Sequence, residues 1–131
     1  MNENENENEN ERRALNEALF RDVNERIAES AENFRAGKTE FVCECSDPSC
    51  AERVPVTLAE YERVRKKPTT FLLAPGHSEP EIEEVVSVRG RFHVVEKVQA
   101  AVRQTVIRLD PRRRRPPTEP EPLFGGDGAE L

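Results

Sequence analysis

The chain has 131 residues, a formal net charge of −6, and equal hydrophobic and charged fractions of 35%. This length accommodates one domain with appendages, and so polar a composition predicts that part of the chain forms tails rather than core. The net negative charge argues against nonspecific binding of nucleic acid by the chain as a whole.

The first segment, residues 1–11, alternates Asn and Glu after Met1. It has almost nothing apolar to bury and repels itself, which predicts a disordered, solubilising tract. A signal peptide would instead need a positive end and an apolar stretch, and no run in the chain approaches the ~20 apolar residues that span a bilayer. These features predict a cytoplasmic protein without membrane contact.

Residues 12–37 predict an amphipathic helix, which Gly37 ends. Its apolar residues recur at steps of four and form one stripe, the apolar ridge. The ridge consists of Leu15, Leu19, Val23 and Ile27, and Phe34 falls on its continuation. A single-stripe helix must pack on the following domain, on a second copy of itself, or on another protein. We therefore interpret the ridge as the partner-binding surface.

Residues 38–110 predict the folded domain, of class α+β with a small antiparallel β structure. The predicted strands are Glu40–Cys45, Glu52–Thr57, Thr70–Ala74, Glu81–Val88 and Arg91–Val98. Thr57 followed by Glu60 forms a capping box that begins a short helix, and Arg89-Gly90 indicates a hairpin turn. Residues 98–109 suit either a helix or a strand, and we favour a helix.

The last segment, residues 111–131, begins with a Pro-flanked run of four arginines and ends in a Pro/Glu and Gly-rich stretch. Proline removes hydrogen-bond donors, and glycine raises the entropy cost of ordering. The composition therefore predicts a disordered tail.

Three cysteines lie within eight residues, at Cys43, Cys45 and Cys50. Side chains two apart on a strand point to the same side, and Asp47-Pro48 can turn the chain back toward them. Three thiolates around Zn²⁺ leave one tetrahedral position, which a histidine commonly fills. His77 follows a turn, whereas His93 lies in an apolar strand. We predict a structural zinc on the three cysteines and His77, which would stabilise a domain of only about 70 residues.

Two other interpretations of the cysteines stay open. They could be small buried core residues, or a redox switch in which Cys45 and Cys50 pair while Cys43 resolves the disulfide. A catalytic zinc is disfavoured because Glu44 points to the opposite side of the strand and neither histidine belongs to an HxE or HExxH motif. We expect no enzyme activity.

The assembled residues resemble a family of short, uncharacterised bacterial proteins. The resemblance covers about residues 12–97 and rests on Phe41-x-Cys43-x-Cys45-x4-Cys50, Tyr61-x-x-Val64-Arg65-x-x-Pro68-x-x-Phe71, Pro75-Gly76-His77, Val85-Val86 and Val94-Val95-Glu96-Lys97. It places the three cysteines and His77 in one pattern, which implies the same ligand set. The resemblance does not indicate any particular activity.

Three functional hypotheses follow from the sequence. The first is a zinc-stabilised binding or regulatory module that acts through a protein partner or through self-association by the N-terminal helix. The second is weak nucleic-acid association through the basic segments 63–67 and 112–115, although no aromatic platform accompanies them to stack bases. The third is a thiol redox sensor.

Overall fold

The computed structural model describes residues 3–32 and 37–112, and it has the α+β architecture that the sequence predicts. Its elements in chain order are α1 (Glu3–Glu32), β1 (Lys38–Val42), β2 (Arg53–Thr57), α2 (Leu58–Val64), β3 (Thr70–Leu73), β4 (Glu83–Val88), β5 (His93–Lys97) and α3 (Ala100–Arg108). Every strand predicted from the sequence is present, with ends that shift by up to three residues. The stretch after Val98, where helix and strand patterns competed, is helical as favoured.

Helix α1 starts at Glu3, not at residue 12. The Asn/Glu tract that composition predicted to be disordered is therefore helical from Glu3 onward. Two physical effects favour this extension. Carboxylates near a helix N-terminus interact favourably with the helix dipole, and Glu9 forms an ion pair with Arg13 one turn later, with 3.3 Å between Oε2 and Nη2. The predicted position of Phe34 lies outside the described residues.

The strands form two antiparallel sheets, β1-β2 and β3-β5-β4. The β4–β5 hairpin turns at Gly90, whose φ of 72° lies in the region that only glycine adopts without strain. Arg89 N closes this turn by donating to Phe92 O at 2.9 Å. The two sheets are joined where Glu44 N donates to Leu72 O at 2.8 Å. This hydrogen bond joins the segment after β1 to β3.

Helix α2 begins with the capping box that the sequence predicts. Thr57 Oγ1 accepts a hydrogen bond from Glu60 N, and Glu60 Oε1 accepts one from Thr57 N at 2.8 Å. The helix buries Tyr61, whose ring stacks on Phe41 of β1 with centroids 4.4 Å apart. Because this stack joins α2 to the first sheet, the cap and the core fix the same element.

One hydrophobic core runs between the sheets and the helices. Its largest fully buried apolar side chains are Phe41, Tyr61, Phe71, Leu72, Leu73 and Ile82. Helix α3 closes this core with Val102 and Val106, which are both buried. The core therefore draws on β1, α2, β3 and α3 together, so each element depends on the others for its burial.

Helix α1 packs on the domain through a face that is mostly polar and small. The buried residues of this face are Ala14, Glu17, Ala18, Arg21, Asn24 and Ala28. Glu17 lies on this face and is fully buried. Alanines allow the helix axis to approach closely, and the long polar side chains find partners inside the domain. Polar contacts therefore orient α1.

Candidate metal centre

The loop between β1 and β2 brings the three thiols together. Cys43 follows β1 directly, and its N–H extends the ladder by donating to Glu52 O at 3.1 Å. The turn then closes where Cys50 N donates to Asp47 O at 3.0 Å, while Asp47 Oδ1 accepts from Ser49 N at 2.9 Å. Cys43 is buried and Cys50 is half-buried. The return of the chain therefore places the later cysteine beside the earlier pair.

His77 reaches the same point from the end of β3. Gly76 has a φ of 84°, which requires glycine, and His77 N donates to Ala74 O at 3.3 Å to complete the turn. His77 Nδ1 lies 3.7 Å from Cys43 Sγ and 3.6 Å from Cys50 Sγ. The ligand atoms of all four residues lie within 4.8 Å of one another. We call Cys43, Cys45, Cys50 and His77 the Cys3His group, and it could hold a metal ion.

The spacing of these atoms suits a tetrahedral ion. Zinc–sulfur bonds of about 2.3 Å and zinc–nitrogen bonds of about 2.0 Å give sulfur-to-nitrogen edges of about 3.5 Å in a tetrahedron. The two measured distances from His77 Nδ1, 3.7 and 3.6 Å, are close to that edge. The geometry therefore indicates Nδ1, rather than Nε2, as the ligand atom of His77.

The thiols share their protons unequally. The pKa of Cys45 is lowered to about 5, first because the Cys43 thiol donates a hydrogen bond to it and also because His77 does. That same donation to Cys45 raises the pKa of Cys43, and burial adds to the rise. Burial raises the pKa of Cys50. These contacts favour ionisation of Cys45 over its two neighbours, and the thiolate is the form that binds metals.

Backbone donors support the sulfur atoms. Ala74 N donates to Cys43 Sγ at 3.1 Å, and backbone N–H groups of Asp47 and Glu52 donate to Cys45 and Cys50 respectively. Hydrogen bonds to the charged form stabilise a thiolate. These donors belong to the backbone of the loops and of the β3 end that gather the sulfur atoms, so the same fold positions both.

Glu44, which lies between two of the cysteines, takes no part in the group. Its side chain is fully buried, and its Oε2 accepts from Tyr61 Oη at 2.9 Å and from Asn24 Nδ2 at 2.8 Å. Oε1 accepts from Leu72 N at 3.0 Å. These three hydrogen bonds give the carboxylate of Glu44 a structural role.

His93 is separate from the thiols. It is the first residue of β5, where it lies opposite Leu73 of β3 and Val88 of β4. The structure therefore brings His77 to the three cysteines and keeps His93 in the sheet. This is the distinction that turn and strand patterns suggested.

The apolar ridge of α1 faces away from the domain. Leu15, Leu19 and Val23 are 43%, 57% and 40% exposed, whereas Ile27 is half-buried and packs against the core. Within residues 3–32 and 37–112, the domain does not cover the first three of these side chains. The sequence left three surfaces on which the ridge could pack: the folded domain, a second copy of the helix, or another protein. The exposure excludes the folded domain for most of the ridge.

A buried charged cluster was missed by the sequence analysis. Lys97 Nζ lies 2.9 Å from Glu17 Oε2 and also contacts Glu83 Oε1, and all three side chains are buried. Lys97 Nζ is also 4.6 Å from the ring centroid of Phe71. The sequence did contain a signal for the face of α1 that packs on the domain. Ala14, Ala18 and Ala28 are small residues on that face, and small residues mark close helix packing.

Each of the two basic segments considered for nucleic acid has an arginine that forms ion pairs within the protein. Arg65 is buried, with Nε 2.5 Å from Glu25 Oε2 and Nη2 2.5 Å from Asp110 Oδ1. Arg112 pairs with the same Glu25 at 2.9 Å and with Glu62 at 2.9 Å. Residues 113–115 lie outside the described residues. The cations at 65 and 112 therefore bind the chain's own carboxylates.

Comparisons with known proteins add no relatives. No family model, no curated protein and no solved structure matches the chain. The resemblance to short bacterial proteins therefore stays a prediction. Among residues 3–32 and 37–112, no helix combines the length and apolar content that crossing a bilayer requires.

Proposed function

We propose that the chain is a zinc-stabilised binding module that docks a protein partner on the apolar ridge and has no catalytic role. The observation that carries this proposal is the exposure of Leu15, Leu19 and Val23 on a helix whose opposite face is fixed to the domain. Monomeric proteins rarely align exposed apolar side chains in this way unless something binds them. A cytoplasmic setting fits the three free cysteines, because thiols stay reduced there.

Zinc is the metal that suits the Cys3His group best. Three thiolates and one imidazole are a common closed set for structural zinc, and soft sulfur ligands disfavour magnesium and calcium. The group joins the β1–β2 loop to the turn after β3, which are otherwise separate in sequence. An ion at this point would fix both sheets of the domain, and such binding energy is largely folding energy in small domains.

The ridge has the spacing that helix–helix packing uses. Residues at steps of four form the ridges that interdigitate when two helices cross at about 50°. A groove lies beside each end of the ridge, one lined by Leu19 and Pro48 and the other by Val23 and Lys38. An amphipathic helix of a partner protein, with its apolar residues facing α1, would fill both grooves.

The zinc proposal is tested by metal content and by ligand substitution. We expect native mass spectrometry to show about one zinc per chain, and Cys45→Ser or Cys50→Ser to unfold the domain because the ion's binding energy is lost. A metal-free chain that keeps its native circular dichroism and melting transition would contradict the proposal.

The two histidines provide a matched control. We expect His77→Ala to weaken zinc retention against a competing chelator by more than about tenfold, while His93→Ala leaves retention unchanged because His93 lies in β5. Equal losses in the two variants would reject His77 as the fourth ligand.

The ridge is tested by partner capture in the native cell, with the folded state checked separately. We expect Leu19→Asp and Val23→Asp to remain folded and to lose a partner that the wild-type chain retains. Val88→Asp, at an apolar side chain that is 65% exposed but outside the ridge, should keep the partner. If all variants keep every partner and none changes self-association in sedimentation, the ridge is not a binding surface.

A further inference from the structure

A further concave site, separate from the grooves beside the ridge, lies at the end of the three-stranded sheet. It is a cavity of about 310 Å³ between the C-terminal turn of α2 and the β4–β5 hairpin. Val64, Phe92 and Val94 provide its apolar lining. The first two are buried and the third is half-buried, so they form a fixed floor. None of these residues belongs to the ridge or to the Cys3His group.

The rim of this cavity is basic although the chain is acidic. Arg63, Lys66 and Arg89 are exposed there, and within the described part of the chain they form no ion pair. Lys67 also lines the cavity, with Nζ 3.3 Å from Glu96 Oε1. The carboxylate that lines the cavity, Glu60, is held by the capping box of α2. The local charge at the rim is therefore positive.

Helix electrostatics explain only part of this rim. Arg63 and Lys66 lie at the C-terminal end of α2, where cations interact favourably with the helix dipole. Arg89 comes from the hairpin turn on the other side of the cavity, so the dipole of α2 does not account for it. Its Nε donates to Ser87 Oγ at 3.1 Å, which holds the guanidinium at the rim. Its two terminal nitrogens have no partner within residues 3–32 and 37–112.

We propose that this cavity binds a small amphiphilic anion. The apolar body would lie on Val64, Phe92 and Val94, and a carboxylate, sulfonate or phosphate head would lie at the rim between Arg89 and Lys66. Ligand cavities usually begin at about 300 Å³ and combine an apolar lining with a few placed polar groups. Guanidinium groups suit planar or tetrahedral oxyanions because their donors are fixed in a fork.

The test uses two probes of similar body and different charge. 1-Anilinonaphthalene-8-sulfonate carries the anion, and N-phenyl-1-naphthylamine has the same ring system without it. We expect the sulfonate to bind the folded, zinc-loaded full chain at least about tenfold more tightly than the neutral probe. Amide shifts in NMR spectra should concentrate at Thr70, Ser87 and Val94, which line the cavity.

Variants separate this site from general dye binding. The double change Lys66→Gln with Arg89→Gln should weaken sulfonate binding about tenfold and leave the neutral probe unaffected. Arg91→Gln, at an exposed arginine that does not line the cavity, should bind like wild type. Ser87→Tyr should exclude both probes by filling the cavity. Unchanged sulfonate affinity in the double variant, or in Ser87→Tyr, would overturn the proposal, as would amide shifts centred on the ridge.

Discussion

At the scale of single residues, the decisive side chains of this protein are buried charges rather than apolar anchors. Arg21 is fully buried, with its guanidinium carbon 4.2 Å from the ring centroid of Phe71. Its terminal nitrogens donate to Pro68 O at 2.6 Å and to Val106 O at 2.7 Å. One arginine of α1 thereby contacts both the approach to β3 and the helix α3. Replacing Arg21 would leave the carbonyls of Pro68 and Val106 without these donors, which costs more than an exposed ion pair contributes.

Glu17 makes stability depend on pH. Burial raises the pKa of its carboxyl to about 7 from an ordinary value of 4.5, against the opposing effect of the Lys97 ammonium. Because the folded-state pKa is the higher one, the stability that this group contributes is complete below pH 4.5 and is lost as the pH rises through about 7.

Comparison with Glu17→Gln measures this effect. Between about pH 5 and about pH 8, we expect the free energy of unfolding of the wild type to fall by about 2 kcal/mol relative to the variant, because glutamine does not titrate. Denaturant titrations at both pH values provide the measurement. Because the charge of Cys45 also acts on Glu17, both proteins are compared at the same zinc loading. A difference that is constant with pH would show that Glu17 titrates normally.

At the scale of elements, α1 has two faces whose roles reverse the usual amphipathic pattern. Its leucines at 15 and 19 face outward, while the polar side chain of Asn24 is buried and hydrogen-bonds at 2.8 Å both to Val42 O and to Val42 N. Asn24 therefore occupies both backbone groups of the residue that ends β1. The helix is placed by specific hydrogen bonds, and hydrophobicity alone would have placed it the other way round.

Two neighbouring substitutions test this orientation. Ala18 is buried and Leu19 is 57% exposed. We expect Ala18→Asp to lower the free energy of unfolding by about 3 kcal/mol. The reason is that it introduces a buried charge without an ion-pair partner into a close-packed interface. Leu19→Asp should change it by about 0.5 kcal/mol or less. A larger loss for Leu19→Asp than for Ala18→Asp in denaturant unfolding would mean that the ridge, not the polar face, packs on the domain.

At the scale of the whole molecule, the ends of the described chain return to the same helix. Arg112 lies against Glu25, in the C-terminal third of α1, and Arg65 of the turn after α2 contacts the same carboxylate. The carboxylate of Asp110 is shared in turn between Arg65 and the backbone N–H of Arg112. These contacts fix the last residues before position 113 to the helix that begins the chain.

Two truncations distinguish this anchor from the tail beyond it. Deleting residues 113–131 should leave the melting temperature unchanged, because their composition offers little apolar surface to repay the entropy of ordering. Deleting residues 111–131 also removes Arg112, and we expect Tm to fall by about 4 °C or less, since its ion pairs are partly exposed and worth at most about 1 kcal/mol. A large fall on the shorter deletion would show that the tail contributes to the fold.

Local signals in the sequence determined the elements of the domain and the members of the Cys3His group. The Thr57–Glu60 cap, the Gly90 turn and the Cys43-x-Cys45 spacing each act within a few residues, so their consequences can be read from neighbouring positions. His77 follows a glycine turn for the same reason. Steps of four also located the apolar ridge correctly, because that periodicity is a property of the helix alone.

Only the tertiary structure decided which face of α1 packs inward. The burial of Glu17 depends on Lys97, which lies far along the chain, and a charge becomes tolerable inside a protein only when its partner is already there. Likewise, the rim of the basic cavity joins Lys66 to Arg89 across a turn and a sheet. Pairings of this kind depend on how the chain closes in space, and one-dimensional periodicity does not encode them.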